Sequence, residues 1–217
     1  SNMMEQNKFT MEDNINSQAD HWEAAHDEGN PSGQGMAPAE GSASFDGNES
    51  SLAADFVHLH LHTEYSLLDG SGKVKNMVKK AGELGMKALA ITDHGAMYGC
   101  VDFYKECKKA GIKPIIGCEI YVAAGNMDDK TLNNNSIHHL VLLCKNATGY
   151  QNLMKIVSEG SIRGFYYKPR VDHAFLRDHA EGLIALSACL GGEVQENLNH
   201  DMPGKAREAA IFYRDTF

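Results

Sequence analysis

An α/β fold, a sheet or barrel with helices packed against it, is what this chain of 217 residues predicts. Three observations carry the prediction. Apolar runs of strand length recur from residue 56 onward. Several are followed by stripes of apolar residues at helical spacing. Glycines stand where those stripes stop. Strands that alternate with helices imply parallel pairing through right-handed crossovers.

The first run, "FVHLHLH" at 56–62, alternates in the way of a strand. Val74, Met77, Val78, Ala81 and Leu84 then recur at helical spacing, and Gly85 suits a C-terminal stop. "KALAIT" at 87–92 is the second strand. Val101, Tyr104 and Cys107 form the next helical stripe, ahead of Gly111. "KPIIGCEIYV" at 113–122 and "HLVLLC" at 139–144 are further strands. Tyr150, Leu153, Met154 and Val157 make a third stripe before Gly160, and "LIALSA" at 183–188 is the last strand. Ala206, Ala210, Tyr213 and Phe217 close the series, with Asp201 as N-cap and Pro203 in the first turn. That stripe is still running at Phe217, with no closing strand behind it. The chain is therefore expected to be the front of something longer.

Composition divides the chain in two. Residues 1–51 hold ten acids against the single base Lys8, which accounts for the whole formal charge of −9. They are rich in Asn, Ser, Gly, Glu and Asp and offer few large apolar groups. Such a segment cannot offset its ordering entropy by burial, so a disordered extension is predicted. Ser1–Met3 reads as a cloning remnant, and at most a marginal helix is expected near Ala19–Ala25. Residues 52–217 form the predicted folded domain and carry no net charge, so no broad basic field draws a polyanion to it. No apolar run approaches the roughly 18 residues of a membrane span, and no signal peptide opens the chain. The five cysteines are odd in number, widely spaced and without a C-x-x-C pair, which fits a reducing cytoplasm and argues against a disulfide framework.

The chemistry gathers in a few places. In a strand, His58, His60 and His62 share one face. Imidazoles so placed can bind one metal ion; the alternative is a strand whose solvent face is polar. "ITDHG" puts Asp93 and His94 directly after the second strand, "GCEIYV" carries Glu119, and "LSACLGGE" puts Cys189 past the last strand. In parallel α/β folds, functional groups collect at strand ends. Histidine, glutamate and cysteine delivered there form a donor set for Zn²⁺ or a similar metal. His138 and His139 begin their strand, so the strand-end rule does not support them. Asp69 in "SLLDG" reads equally as a turn residue. The loop "FYYKPRVD" offers Lys168 and Arg170 to a phosphate, or packs its aromatics on a neighbour. Neither a phosphate-binding glycine loop nor a nucleophile elbow is present, and no residue marks itself as a catalytic acid or base.

Six ordered segments, "FVHLHLHTEYSLLDG", "ALAITDHGAMYG", "GIKPIIGCEIYV", "HHLVLLCKNATGYQNLMKIVS", "GFYYKPRVD" and "ALSACLGGEV", together resemble the PHP (polymerase and histidinol phosphatase) family. The last three point to the branch that opens the alpha subunits of bacterial replicative DNA polymerases. The resemblance implies a distorted (β/α)7-type barrel, C-terminally truncated here, with up to three divalent metal ions (Zn, Mn or Fe). It implies the ligands His60, His62, Asp69, His94, Glu119, His139 and Cys189, and so raises Asp69 and His139 above their unaided readings. His58 stands where many relatives carry Asp and is left outside the set. The family completes its site with a later Asp-x-His that this sequence does not contain.

The implied chemistry is metal-assisted hydrolysis of a phosphoester, in the polymerase context a 3′–5′ proofreading exonuclease acting on DNA. The polymerase carboxylates are absent, so no nucleotide incorporation is expected. A second reading is a structural platform that binds a separate proofreading subunit among the other replicative subunits. A third is a free-standing phosphatase of the histidinol-phosphate type, which the open-ended last helix disfavours.

Overall fold

The computed structural model describes residues 56–131 and 136–217. The acidic extension at 1–51, with its marginal helix, lies outside the described residues.

In chain order the elements are α1 (Val74–Glu83), β1 (Ala88–Ile91), α2 (Cys100–Ala110), β2 (Lys113–Ala123), β3 (Ile137–Cys144), α3 (Ala147–Ile162), β4 (Arg170–Val171), α4 (His173–Asp178), β5 (Leu183–Leu186), α5 (Glu193–Asn199) and α6 (Pro203–Thr216). The α/β class matches the prediction, but the pairing is mixed. The sheet runs β1-β2-β3-β5, with β4 also on β2. β1 and β4 run parallel to β2, whereas β3 is antiparallel to both β2 and β5. No helix stands between β2 and β3 among the described residues. A chain that returns without a crossover helix runs back antiparallel, because parallel neighbours are joined by a long crossover, usually helical.

The sheet is organised around β2. One of its edges takes β1 at residues 113–116, then His94 at Glu119, then β4 at Tyr121 and Val122. Its other edge takes β3. Alternation along β2 sends Cys118, Ile120 and Val122 into a core with Leu140, Leu142, Leu153, Ile156 and Leu176. Glu119 and Tyr121 point to the opposite face. Burial of each large aliphatic side chain contributes about 1.5–3 kcal/mol. A second core joins α1 and α2 to β1 through Val78, Leu89, Ile91, Phe103 and Cys107.

The helices form where the stripes predicted, with some faces rotated. On α2 the buried residues are Cys100, Phe103 and Cys107, while Val101 is exposed. On α6 Ala209 is buried instead of Ala210. Asp201 does not cap α6: it has a left-handed φ of 55° and its N–H closes α5 on Leu198, so Met202 is the N-cap. Gly85 (φ 75°) and Gly111 (φ 69°) end α1 and α2 in the left-handed conformation that glycine adopts without a Cβ clash.

The first predicted strand is also corrected. Residues 56–62 lie along β1 without a regular ladder. Ala90 N–H donates to His58 O at 3.0 Å and Thr92 N–H to Leu61 O at 2.9 Å. Between those bonds the histidine segment spends one residue more than β1, so it bulges. His58 turns out to solvent against Phe56, and His60 and His62 turn inward.

Candidate metal centre

The face of β2 that avoids the core carries Glu119, only 1% exposed. The bulged segment brings His60 and His62 to it. His60 Nε2 contacts Glu119 Oε2, and His62 Nε2 lies 3.1 Å from the same oxygen. His94, in register with Glu119 just beyond β1, places Nδ1 3.5 Å from Oε1. Its Nε2 reaches Asp69 Oδ2 at 2.6 Å. His139 Nδ1 contacts Glu119 Oε1, and Cys189 Sγ lies 3.5 Å from that nitrogen.

All seven residues that the resemblance implied are thus brought together, in three overlapping groups. The first is His60, His62 and Glu119; the second is His62, Asp69 and His94; the third is Glu119, His139 and Cys189. Within each group the donor atoms lie within 4.8 Å of one another. His62 links the first two groups, and Glu119 links the first and third. The antiparallel course of β3 explains His139. Its register partner is Tyr121, so the start of β3 lies beside the C-terminal end of β2. β5 runs back alongside β3 and delivers Cys189 to the same end.

Burial would push the Glu119 carboxyl up, but hydrogen bonds from His139, His60 and His62 outweigh it and hold that carboxyl well below the usual range. The same partner raises His62 above the ordinary imidazole value, against the opposing effect of burial. His94 holds the Asp69 carboxyl down. Even so, one carboxylate cannot satisfy this many imidazoles. Among the described residues, His62 Nδ1 and His94 Nδ1 are buried with no hydrogen-bond partner. Buried polar atoms are seldom left so. The donor set of nitrogen, oxygen and sulfur therefore fits divalent transition metals.

Tyr121 forms a wall between His94 and His139, with ring centroids 6.4 and 5.2 Å away. Lys168 is exposed and sets its ammonium 5.4 Å above the Tyr121 ring, at the rim of the centre. Arg170 is a correction. It is fully buried, and its guanidinium donates to the carbonyls of Gly164, Met127 and Asp129 at 3.2–3.3 Å while packing over Tyr166. It holds main chain and is not offered to a phosphate.

Sequence reasoning missed the groups that fix the ligands. Thr63, Ser66, Thr92 and Asp93 are buried polar residues around the histidine segment. Beyond the place of Asp93 in "ITDHG", the signal for them is the pair of hydroxyl residues, Thr63 and Ser66, three apart directly after His62. On the far side of β3, His138 pairs with Glu196 at 2.7 Å, and Glu193 accepts from Tyr213 and lies 2.9 Å from His173. These contacts anchor α5, while His139 N–H donates to Gly191 O at 2.8 Å and steadies the Cys189 loop.

Two clefts of about 420 Å³ each are lined from β5, α6 and their neighbours and include none of the seven residues. The histidines themselves are 21–29% exposed, so the centre is open to solvent. No helix among the described residues is long and apolar enough to cross a membrane.

Residues 58–217 match the family described as the PHP domain. A DNA polymerase III subunit alpha from Treponema pallidum is 49% identical over 164 residues, covering 75% of this chain and 14% of the relative. One from Chlamydia pneumoniae is 51% identical over 143 residues, covering 65% of this chain and 12% of the relative. The chain thus spans only a small part of the relatives' length. A solved amidohydrolase from Chromobacterium violaceum, 23% identical, aligns over 48% of this chain and 32% of its own with a TM-score of 0.37.

Proposed function

This chain belongs to the PHP domain family, and from that membership we propose that its histidine-rich face holds two or three divalent metal ions and hydrolyses phosphoesters. The observation that carries the reading is the convergence of seven nitrogen, oxygen and sulfur donors in three groups that share His62 and Glu119. Zn²⁺, Mn²⁺ or Fe²⁺ suits such a set.

Bound metal supplies Lewis acidity, which makes water a nucleophile near neutral pH and offsets phosphate charge. The chain's residues do the rest. Glu119, shared by the first and third groups, would supply buried negative charge to the ions held there. His60, His62, His94 and His139 would supply the nitrogen donors, Asp69 would close the second group, and Cys189 would add sulfur to the third. Lys168 meets the phosphate from the rim, as a mobile point charge.

The substrate proposed is a 3′ DNA end, and the activity a 3′–5′ proofreading exonuclease. Two observations support this choice. The relatives are named as DNA polymerase III subunit alpha. The open centre also suits the end of a polymer better than an enclosed small molecule. On this reading the chain is part of a cytoplasmic replicative polymerase, meeting DNA and the other replicative subunits through it.

The test is release of labelled 3′ nucleotides from single-stranded DNA by the chain supplied with Zn²⁺, Mn²⁺ or Fe²⁺, against chelator. Metal-dependent release that disappears in His60→Ala/His62→Ala supports the reading. Metal uptake without hydrolysis of DNA or of bis(p-nitrophenyl) phosphate removes it, and leaves a metal-stapled platform for a separate proofreading subunit.

A further inference from the structure

Asp93 belongs to none of the three donor groups, yet it is 1% exposed and directly precedes His94, a ligand of the second. Its Oδ1 accepts from Thr63 N–H at 2.6 Å and from Ser66 Oγ at 2.7 Å, and its Oδ2 accepts from Thr63 Oγ1 at 2.7 Å. Thr63 directly follows His62. Ser66 accepts at its carbonyl from the N–H groups of Asp69 (3.1 Å) and Gly70 (2.8 Å). Ser66 Oγ also accepts from His94 N–H at 3.1 Å. One carboxylate thus gathers the backbone on either side of the second group. Thr92 completes the clamp: its Oγ1 accepts from Leu61 N–H at 2.7 Å and donates to Leu61 O at 3.1 Å, between His60 and His62.

We infer that Asp93 is a positioning residue for the second metal group, setting the separation of His62, Asp69 and His94 without touching the ion. This rests on the metal reading above. Groups that orient ligands from behind typically govern metal affinity by about 10–100-fold. A buried carboxylate with three donors is rigid, because each of those donors loses its partner if it moves.

The test is cobalt(II) titration of the whole chain, followed by elemental analysis and visible–ultraviolet absorption. The groups separate by chemistry: the third contains Cys189 and gives a sulfur-to-cobalt charge-transfer band, whereas the second has only nitrogen and oxygen donors. Asp93→Asn keeps the shape but cannot accept all three hydrogen bonds. It is expected to lose the second-group ion, or to bind it about 10–100-fold more weakly, with the charge-transfer band intact. Full cobalt uptake at wild-type affinity in Asp93→Asn overturns the inference. If Asp93→Asn does not fold, Ser66→Ala decides. Weakened uptake with the band retained supports the clamp, and unchanged uptake refutes it. A wild-type chain that takes up no cobalt contradicts the metal reading itself, a result separate from either variant's.

Discussion

Glu119→Gln tests the sharing of ligands most sharply, because Glu119 serves two of the three donor groups. The side chain keeps its size and its 1% exposure but loses its charge. A ligand present at about 100 times its Kd stabilises the folded state by about 2.7 kcal/mol. For a domain of this size each kcal/mol raises Tm by about 2–4 °C, so one ion contributes about 5–11 °C. Three independent ions set an upper limit of about 8 kcal/mol, and repulsion between neighbouring cations lowers it. In Glu119→Gln only His62, Asp69 and His94 remain as a complete group. The metal-induced rise should therefore shrink to that of a single ion, about 5–11 °C. The assay is scanning calorimetry of each protein with and without saturating metal, each compared with its own metal-free form so that any intrinsic cost of the substitution cancels. An equal metal-induced rise in wild type and Glu119→Gln would refute the shared-ligand geometry.

Other expectations follow from the same structure. Arg170→Ala should cost about 3 kcal/mol or more in denaturant unfolding, since it leaves a cavity and three carbonyls without their donor. Lys168→Ala, by contrast, should stay within about 0.5 kcal/mol of wild type and instead raise KM for a phosphodiester. Leu142→Ala, at a fully buried position, should cost about 2–5 kcal/mol. Acid should also weaken the fold through Glu193. Burial opposes its ionisation, but His173 and Tyr213 hold its folded-state carboxyl below the usual 4.5. Its contribution is present above that value and is lost as pH falls through the lower folded value. Glu193→Gln should flatten that acid limb in urea midpoints measured below pH 5, and an unchanged limb would remove the assignment.

Periodicity carried most of the elements but little of the pairing. Alternation in "KPIIGCEIYV" puts Glu119 opposite Ile120, and that alone separates site from core. It says nothing of direction. The stretch 124–136, which carries no apolar stripe at helical spacing, was the sign that β3 returns antiparallel. Had it been used, His139 would have fallen at the right end of the sheet without help from a resemblance. His58 failed for a different reason: a bulge of one residue reverses which histidines face inward, and bulges leave no mark on apolar patterning. Arg170 looked like a surface cation because charge is usually exposed, but three carbonyls make an interior place for a guanidinium. The Asp93 clamp was invisible because its partners lie some thirty residues away in sequence.

On the proposed reading these seven residues hold metal. Elemental mass spectrometry of the purified chain, alongside His60→Ala/His62→Ala, tests it directly. The double substitution breaks the first and second groups and spares Glu119, His139 and Cys189. Two or three divalent ions per wild-type chain, and at most one in the variant, are predicted. No metal in wild type after incubation with Zn²⁺, Mn²⁺ and Fe²⁺, or the same stoichiometry in both proteins, would contradict it.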